Sequence, residues 1–142
     1  MKFPFAELIV AGILCAGSIS GQSQETFKVR LSPVPIETGL RNSVTGKGSA
    51  TATLAGTRLS INGTFEGLQT PATVARLHSG RVTGVRGPAV VDLTVQRGVN
   101  GTISGSIVLT PEQIDNLRKG RLYIQIHSEK ASEGNLWGWL LK

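Results

Sequence analysis

From Thr26 to the end of the chain, apolar and polar positions alternate in short runs broken by glycine, proline and asparagine. Such a period of two places alternate side chains on opposite faces and predicts strands. Thr26-Phe27-Lys28-Val29-Arg30-Leu31 alternates strictly, with Phe27, Val29 and Leu31 on one face. Runs at 48–54 and 57–65 join at Ala55-Gly56 and read as a hairpin. Asn62-Gly63 has the composition of a turn, but alternation continues through it. It therefore predicts a strand with a bulge or a close approach of backbone, in which Leu59, Ile61, Gly63 and Phe65 share a face. Further strands are predicted at 74–78, 89–95 and 102–109, and a final hairpin pairs 121–128 with 135–141 across a six-residue loop. Pro33 and Pro35 make 32–47 an irregular or edge segment, because proline gives no ladder hydrogen bond.

Only one segment carries a helix signal. Thr110 is an N-cap, Pro111 suits the first helical position, Gln113 completes a capping box and Gly120 stops the helix after 117–119. Eight or nine strands with one short helix and no internal repeat predict an all-β fold, a Greek-key-like antiparallel β-sandwich forming one domain over 26–142.

The N-terminal segment reads differently. Met1-Lys2 is a short basic start, 8–16 is apolar apart from small residues, and Gly17, Ser18, Ser20 and Gly21 follow. These are the regions of a secretory signal peptide over 1–21, with cleavage expected after Ser20 or Gly21. The apolar run falls short of the roughly 20 residues a membrane helix needs, so no span is expected after cleavage. A second reading lipidates Cys15, but bulky Leu14 stands where bacterial lipoprotein signals have a small residue in common. Cys15 is the sole cysteine, so an exported chain would hold no disulfide and no thiolate chemistry. The expected location is secreted, periplasmic or within the cell envelope.

Net charge is +6, and removing Lys2 and Glu7 with the signal leaves it unchanged. The arginines are scattered along the chain, without a basic run or interleaved aromatics, so specific nucleic-acid binding is not expected. Sequons at Asn62 and Asn100 matter only in a glycosylating host.

The order of motifs from Phe27 to Leu140 resembles the chordin-type (CHRD) domain family. The resemblance is carried by Gly67-Leu68, Leu77-His78, Gly87-Pro88, Leu109-Thr110, Leu122-Tyr123, His127, and Gly134 with Gly138. It implies an exported β-sandwich module and no particular activity. The chain departs from the family at Arg76, where the family has the first histidine of a His-apolar-His triplet. It departs again at Asn135-Leu136-Trp137-Gly138-Trp139, where the closing strand usually reads Glu-apolar-Arg-Gly-Gln.

Period-two geometry then defines an outward face. With Ala75, Leu77, Leu122, Ile124, Ile126, Leu136 and Leu140 inward, Arg76, His78, Tyr123, Gln125, His127, Asn135, Trp137 and Trp139 point outward. Pairing His127 with Asn135 sets Gln125 opposite Trp137 and Tyr123 opposite Trp139. The candidate binding face is Arg76, His78, Tyr123, His127, Trp137 and Trp139, provided the strand at 74–78 lies near the final hairpin; Asp92 faces outward only if its strand is one-sided. Three uses compete: aromatics that cover a loop, a recognition surface for a protein or glycan partner, and a metal site on His78 and His127. Two histidines without cysteine or a placed acid supply half of a typical zinc set, and far less than copper/zinc superoxide dismutase needs. No H-E-x-x-H, nucleophile elbow or phosphate loop is present, and Ser79 beside His78 points to the other face. The sequence therefore predicts a non-catalytic binding or structural module without a cofactor. Metal binding through His78 and His127, with an unrecognised activity, is the alternative. Oligomeric state leaves no signature in this pattern.

Overall fold

The computed structural model describes residues 23–35 and 42–142. The predicted signal peptide, and residues 36–41 of the irregular segment, lie outside the described residues. In chain order the elements are β1 (Gln24–Pro33), β2 (Lys47–Ala55), β3 (Arg58–Glu66), β4 (Ala72–Ser79), β5 (Ala89–Val95), β6 (Gly101–Val108), α1 (Pro111–Arg118), β7 (Leu122–Ser128) and β8 (Ala131–Trp139). Each predicted strand is present, and all pairings are antiparallel.

The expected sandwich is corrected to a closed barrel, in the order β1-β2-β3-β6-β5-β4-β7-β8. Two strands change partner along their length. β1 pairs with β2 through 24–31 and with β8 at Ser32 and Pro33. β5 pairs with β4 through 89–93 and with β6 at Thr94 and Val95. Both joins of the two sheets are thereby sewn, and among the described residues closure leaves no whole strand as an open edge. The β3-β6-β5-β4 order preserves the Greek-key character.

Large and small side chains fill the interior in turn. Phe27 lies across from Ala52, and Ala52 from Ile61. Gly63 sits within an unbroken ladder, so the predicted strand is found and a turn is not. A Cβ there would lie 2.6 Å from the Cβ of Ala50, which confirms a close approach of backbone as the reason for glycine.

The helix forms as its caps predict. Thr110 Oγ1 accepts from the Gln113 amide at 3.2 Å, and the Thr110 amide donates to Gln113 Oε1 at 2.9 Å. Gly120 follows at φ +71°, a conformation that favours glycine. Leu117 is buried in the core, while Arg118 reaches back to Glu25 at 2.6 Å. Arg118, and Lys142 at 3.0 Å, hold the Glu25 carboxyl down at about 2.

Candidate functional site

The site grows from three neighbouring strands. β4 and β7 pair His78 with Tyr123, Arg76 with Gln125 and Val74 with His127. β7 and β8 pair Tyr123 with Trp139 and Gln125 with Trp137, as the alternation predicts. The predicted His127–Asn135 pair does not form. β7 and β8 turn over Glu129-Lys130, and the register shifts between Ile126 and Ser128, so Ser128 meets Ala131. The turn is tighter than the expected six-residue loop, and the surplus residues are taken up in β8. Asn135 is buried, accepting from Ser128 Oγ and donating to the Thr45 carbonyl, each at 2.8 Å.

Outside the barrel wall these strands carry a stacked aromatic layer. The His78 ring lies 4.9 Å from Tyr123 at an interplanar angle of 14°. Tyr123 lies 4.4 Å from Trp139, and Trp137 meets Trp139 edge-on at 5.7 Å. Aromatic pairs at such separations add attraction beyond the area they bury. Trp137 also packs on a small cluster formed by Val34, Val44 and Ala131.

The connection from Gly80 to Pro88 folds across this layer. The Gly87 amide donates to Tyr123 Oη at 3.0 Å, and the Tyr123 hydroxyl donates to the Gly87 carbonyl at 3.2 Å. The same carbonyl accepts from His78 Nδ1 at 3.0 Å. Arg86 donates to the Glu133 carbonyl and holds its guanidinium 5.8 Å from the Trp137 ring centre, a cation–π placement. Tyr123 is therefore only 1% exposed, although it faces away from the core. The expectation of an outward tyrosine is right about side and wrong about exposure: the covering connection closes over it. Trp137 and Trp139 stay half-buried.

Arg76 and Asp92 are cross-strand partners joined at 2.8 Å, which occupies the Arg76 charge. His127 sits at the register shift with Nδ1 on the Ser132 carbonyl at 2.8 Å. A carbonyl only accepts, so Nδ1 of each imidazole carries a proton and donates it. Both Nε2 atoms are buried without a partner among the described residues. In register, His127 lies four positions along β7 from the partner of His78, roughly 13 Å at strand rise. Arg76 and Gln125 lie between them. Among the described residues no three His, Cys, Asp or Glu side chains gather as a metal set. The face separates its two histidines rather than presenting them as a ligand pair.

Burial lowers the His78 pKa from its usual 6.5, the Gly87 carbonyl opposes that, and the charges of His127, Arg76 and Arg86 lower it further. A histidine with a depressed native pKa binds its proton more readily when unfolded. Its contribution is complete above 6.5 and is lost as pH falls from there through the native value. Melting temperature is expected to drop as pH falls below 6.5. The His78→Asn variant, whose Nδ2 stands where Nδ1 does and keeps a donor for the Gly87 carbonyl, should flatten that part of the profile; an unchanged slope would assign it to other groups.

Sequence reasoning missed Arg86, Gly87 and the outer faces of β1 to β3. Arg86 and Gly87 lie in a stretch without periodicity, and nothing but the Gly87-Pro88 motif marked it. Lys28 and Arg30 were visible on the polar face of β1, yet alternation does not show that the surface beneath them is concave.

A family model described as CHRD domain matches residues 27–140. No curated protein and no solved structure matches the chain.

Proposed function

Because the chain belongs to the CHRD domain family, a family of small extracellular-type domains, we propose that it is a non-catalytic binding module, exported behind residues 1–21 and working in the cell envelope or outside the cell. The observation that carries this reading is the pair Trp137 and Trp139, fixed on rigid strands, half-open to solvent and flanked by Arg86. Tryptophan and arginine on a pre-ordered surface are the residue types that dominate recognition energetics. Neither imidazole Nε2 has a hydrogen-bond partner among the described residues, and Arg76 is tied to Asp92, so this face presents no nucleophile already bonded to a base. A protein or glycan partner fits such a surface.

The chain's two tryptophans both belong to this face, so their emission reports its occupancy directly. Titration with arrayed soluble glycans and fractionated extracellular proteins should find a partner that shifts emission. The Arg86→Ala/Trp137→Phe variant should weaken that partner at least about tenfold while far-UV circular dichroism stays unchanged. A partner bound with no change in emission and no loss in the variant would remove this face from the reading.

A further inference from the structure

The outer faces of β1, β2 and β3 are not flat. A cleft of about 780 Å³ runs over them, walled at one side by Trp139, Leu141 and Lys142. It shares Arg30, Ser49 and Thr64 with a second cleft of about 530 Å³, which in turn shares Lys47, Glu66 and Asn100 with a third. The three form one trough across the wall of the barrel. Its floor is ruled by the ladder: Lys28, Thr51 and Asn62 form one cross-strand row, and Arg30, Ser49 and Thr64 the next.

The chemistry of this lining is one-sided. The first cleft holds Lys28, Arg30 and Lys142 and, among the described residues, no acidic side chain. Lys142 pairs with Glu25 at 3.0 Å, and Glu66, the acid further along, pairs with Lys47 at 3.5 Å. Lys28 and Arg30 have no carboxylate partner among the described residues. Between the charges lie hydroxyls and an amide, each able to donate and to accept. Trp139 supplies the aromatic wall of the first cleft, while Phe65, which lines the second, is buried in the core.

We propose that this trough binds a linear acidic polysaccharide. Its carboxylate or sulfate groups meet Lys28 and Arg30, its hydroxyls meet Ser49, Thr51, Asn62 and Thr64, and one sugar ring lies against Trp139. The three joined clefts suit a polymer, and Lys28 and Arg30, which no carboxylate pairs among the described residues, complement its charge. A nucleic-acid strand fits less well, because successive bases need successive aromatic platforms, and of the two aromatics lining the trough Phe65 is buried and only Trp139 is open to a base. The proposal rests on the binding-module reading and gives it a ligand class and a second surface, joined to the aromatic layer at Trp139.

Purified protein should be titrated at low salt with polygalacturonate, dextran sulfate, neutral dextran and oligothymidylate. Binding is expected to an acidic polysaccharide and not to neutral dextran, weakening as salt rises. Preference between polygalacturonate and dextran sulfate tells carboxylate from sulfate. The Lys28→Gln/Arg30→Gln variant, changed at exposed positions only, should lose at least about tenfold in affinity. Asn62→Trp, which fills the first cleft without touching charge, should do the same. No binding to either acidic polymer overturns the proposal. So does wild-type affinity in both variants, or oligothymidylate bound as tightly and lost in parallel, which would be attraction to any polyanion. If Arg86→Ala/Trp137→Phe abolishes binding while Lys28→Gln/Arg30→Gln keeps it, the aromatic face stands as the recognition surface and the trough falls. If neither variant changes the binding of any partner, both readings fall.

Discussion

Alanine at Tyr123 is expected to destabilise the protein by about 3–5 kcal/mol, and phenylalanine at the same position by about 1–3 kcal/mol. The two variants remove different things. Alanine takes away the ring that His78 stacks on and Trp139 and Trp137 pack against, leaving a void between wall and cover. Phenylalanine keeps the ring but leaves the Gly87 amide without its acceptor, and a half-buried donor without a partner costs its desolvation. Urea denaturation measures the totals. Limited trypsin digestion gives the local effect, because Arg81 and Arg86 are exposed on the covering connection. Cleavage there should accelerate in Tyr123→Phe even under conditions where the barrel stays folded. Equal stability and equal cleavage in Tyr123→Phe would show that the cover is held elsewhere, by Gly80 on Arg121 and Thr83 on Gly120.

That pair of variants also separates what the sequence could say about the site from what it could not. Alternation along β4, β7 and β8 tells which side chains share a face, and the Tyr123–Trp139 and Gln125–Trp137 pairs follow from it. It carries no information about what lies above that face. The 80–88 connection has no periodicity, so its docking through Gly87 was invisible, and Tyr123 read as exposed. Asn135 was misread for a related reason. A residue-by-residue register assumes an unbroken ladder, and the shift after Ile126 takes up the surplus in β8.

The fold was legible to a similar depth. Strand positions come from a period of two, and α1 from capping chemistry that needs only Thr110, Pro111 and Gln113. Closure comes from neither. A sandwich and a barrel ask for the same alternation, and the difference here rests on a few pairs where β1 and β5 change partner. Pro33 is one of them, placed opposite Leu136 at the end of its strand, where a missing amide is tolerated. Proline marked the segment as an edge, and that edge became the seam.

The seam sets up the second large effect. Gly138→Ala is expected to cost about 1–3 kcal/mol and Gly138→Val more, although the change adds only apolar atoms to a well-packed wall. Gly138 does not have positive φ, so backbone freedom is not why glycine stands there. A Cβ would lie 2.5 Å from the Arg30 carbonyl oxygen and 2.5 Å from Val29 Cγ1, closer than real carbon atoms approach. The oxygen belongs to the backbone of β1 and has no rotamer to adopt, so the strands themselves must part. Few bonds resist that parting: Ser32 and Pro33 pair with β8 at one end, and Lys28 and Leu141 exchange amide bonds of 2.7 and 3.1 Å at the other. Amide exchange at Lys28 and Leu141 should therefore quicken in Gly138→Ala more than exchange along the β2–β3 ladder. Gly84 supplies the contrast, since an added Cβ there meets nothing within 4 Å and alanine tests only the strain of φ +88°. If Gly138→Ala is as stable as wild type, the join between β1 and β8 is loose enough to absorb a methyl group. A seam that yields in this way would leave the trough on its flank, with Lys28, Arg30 and Trp139 along its walls, without a fixed shape for a ligand to recognise.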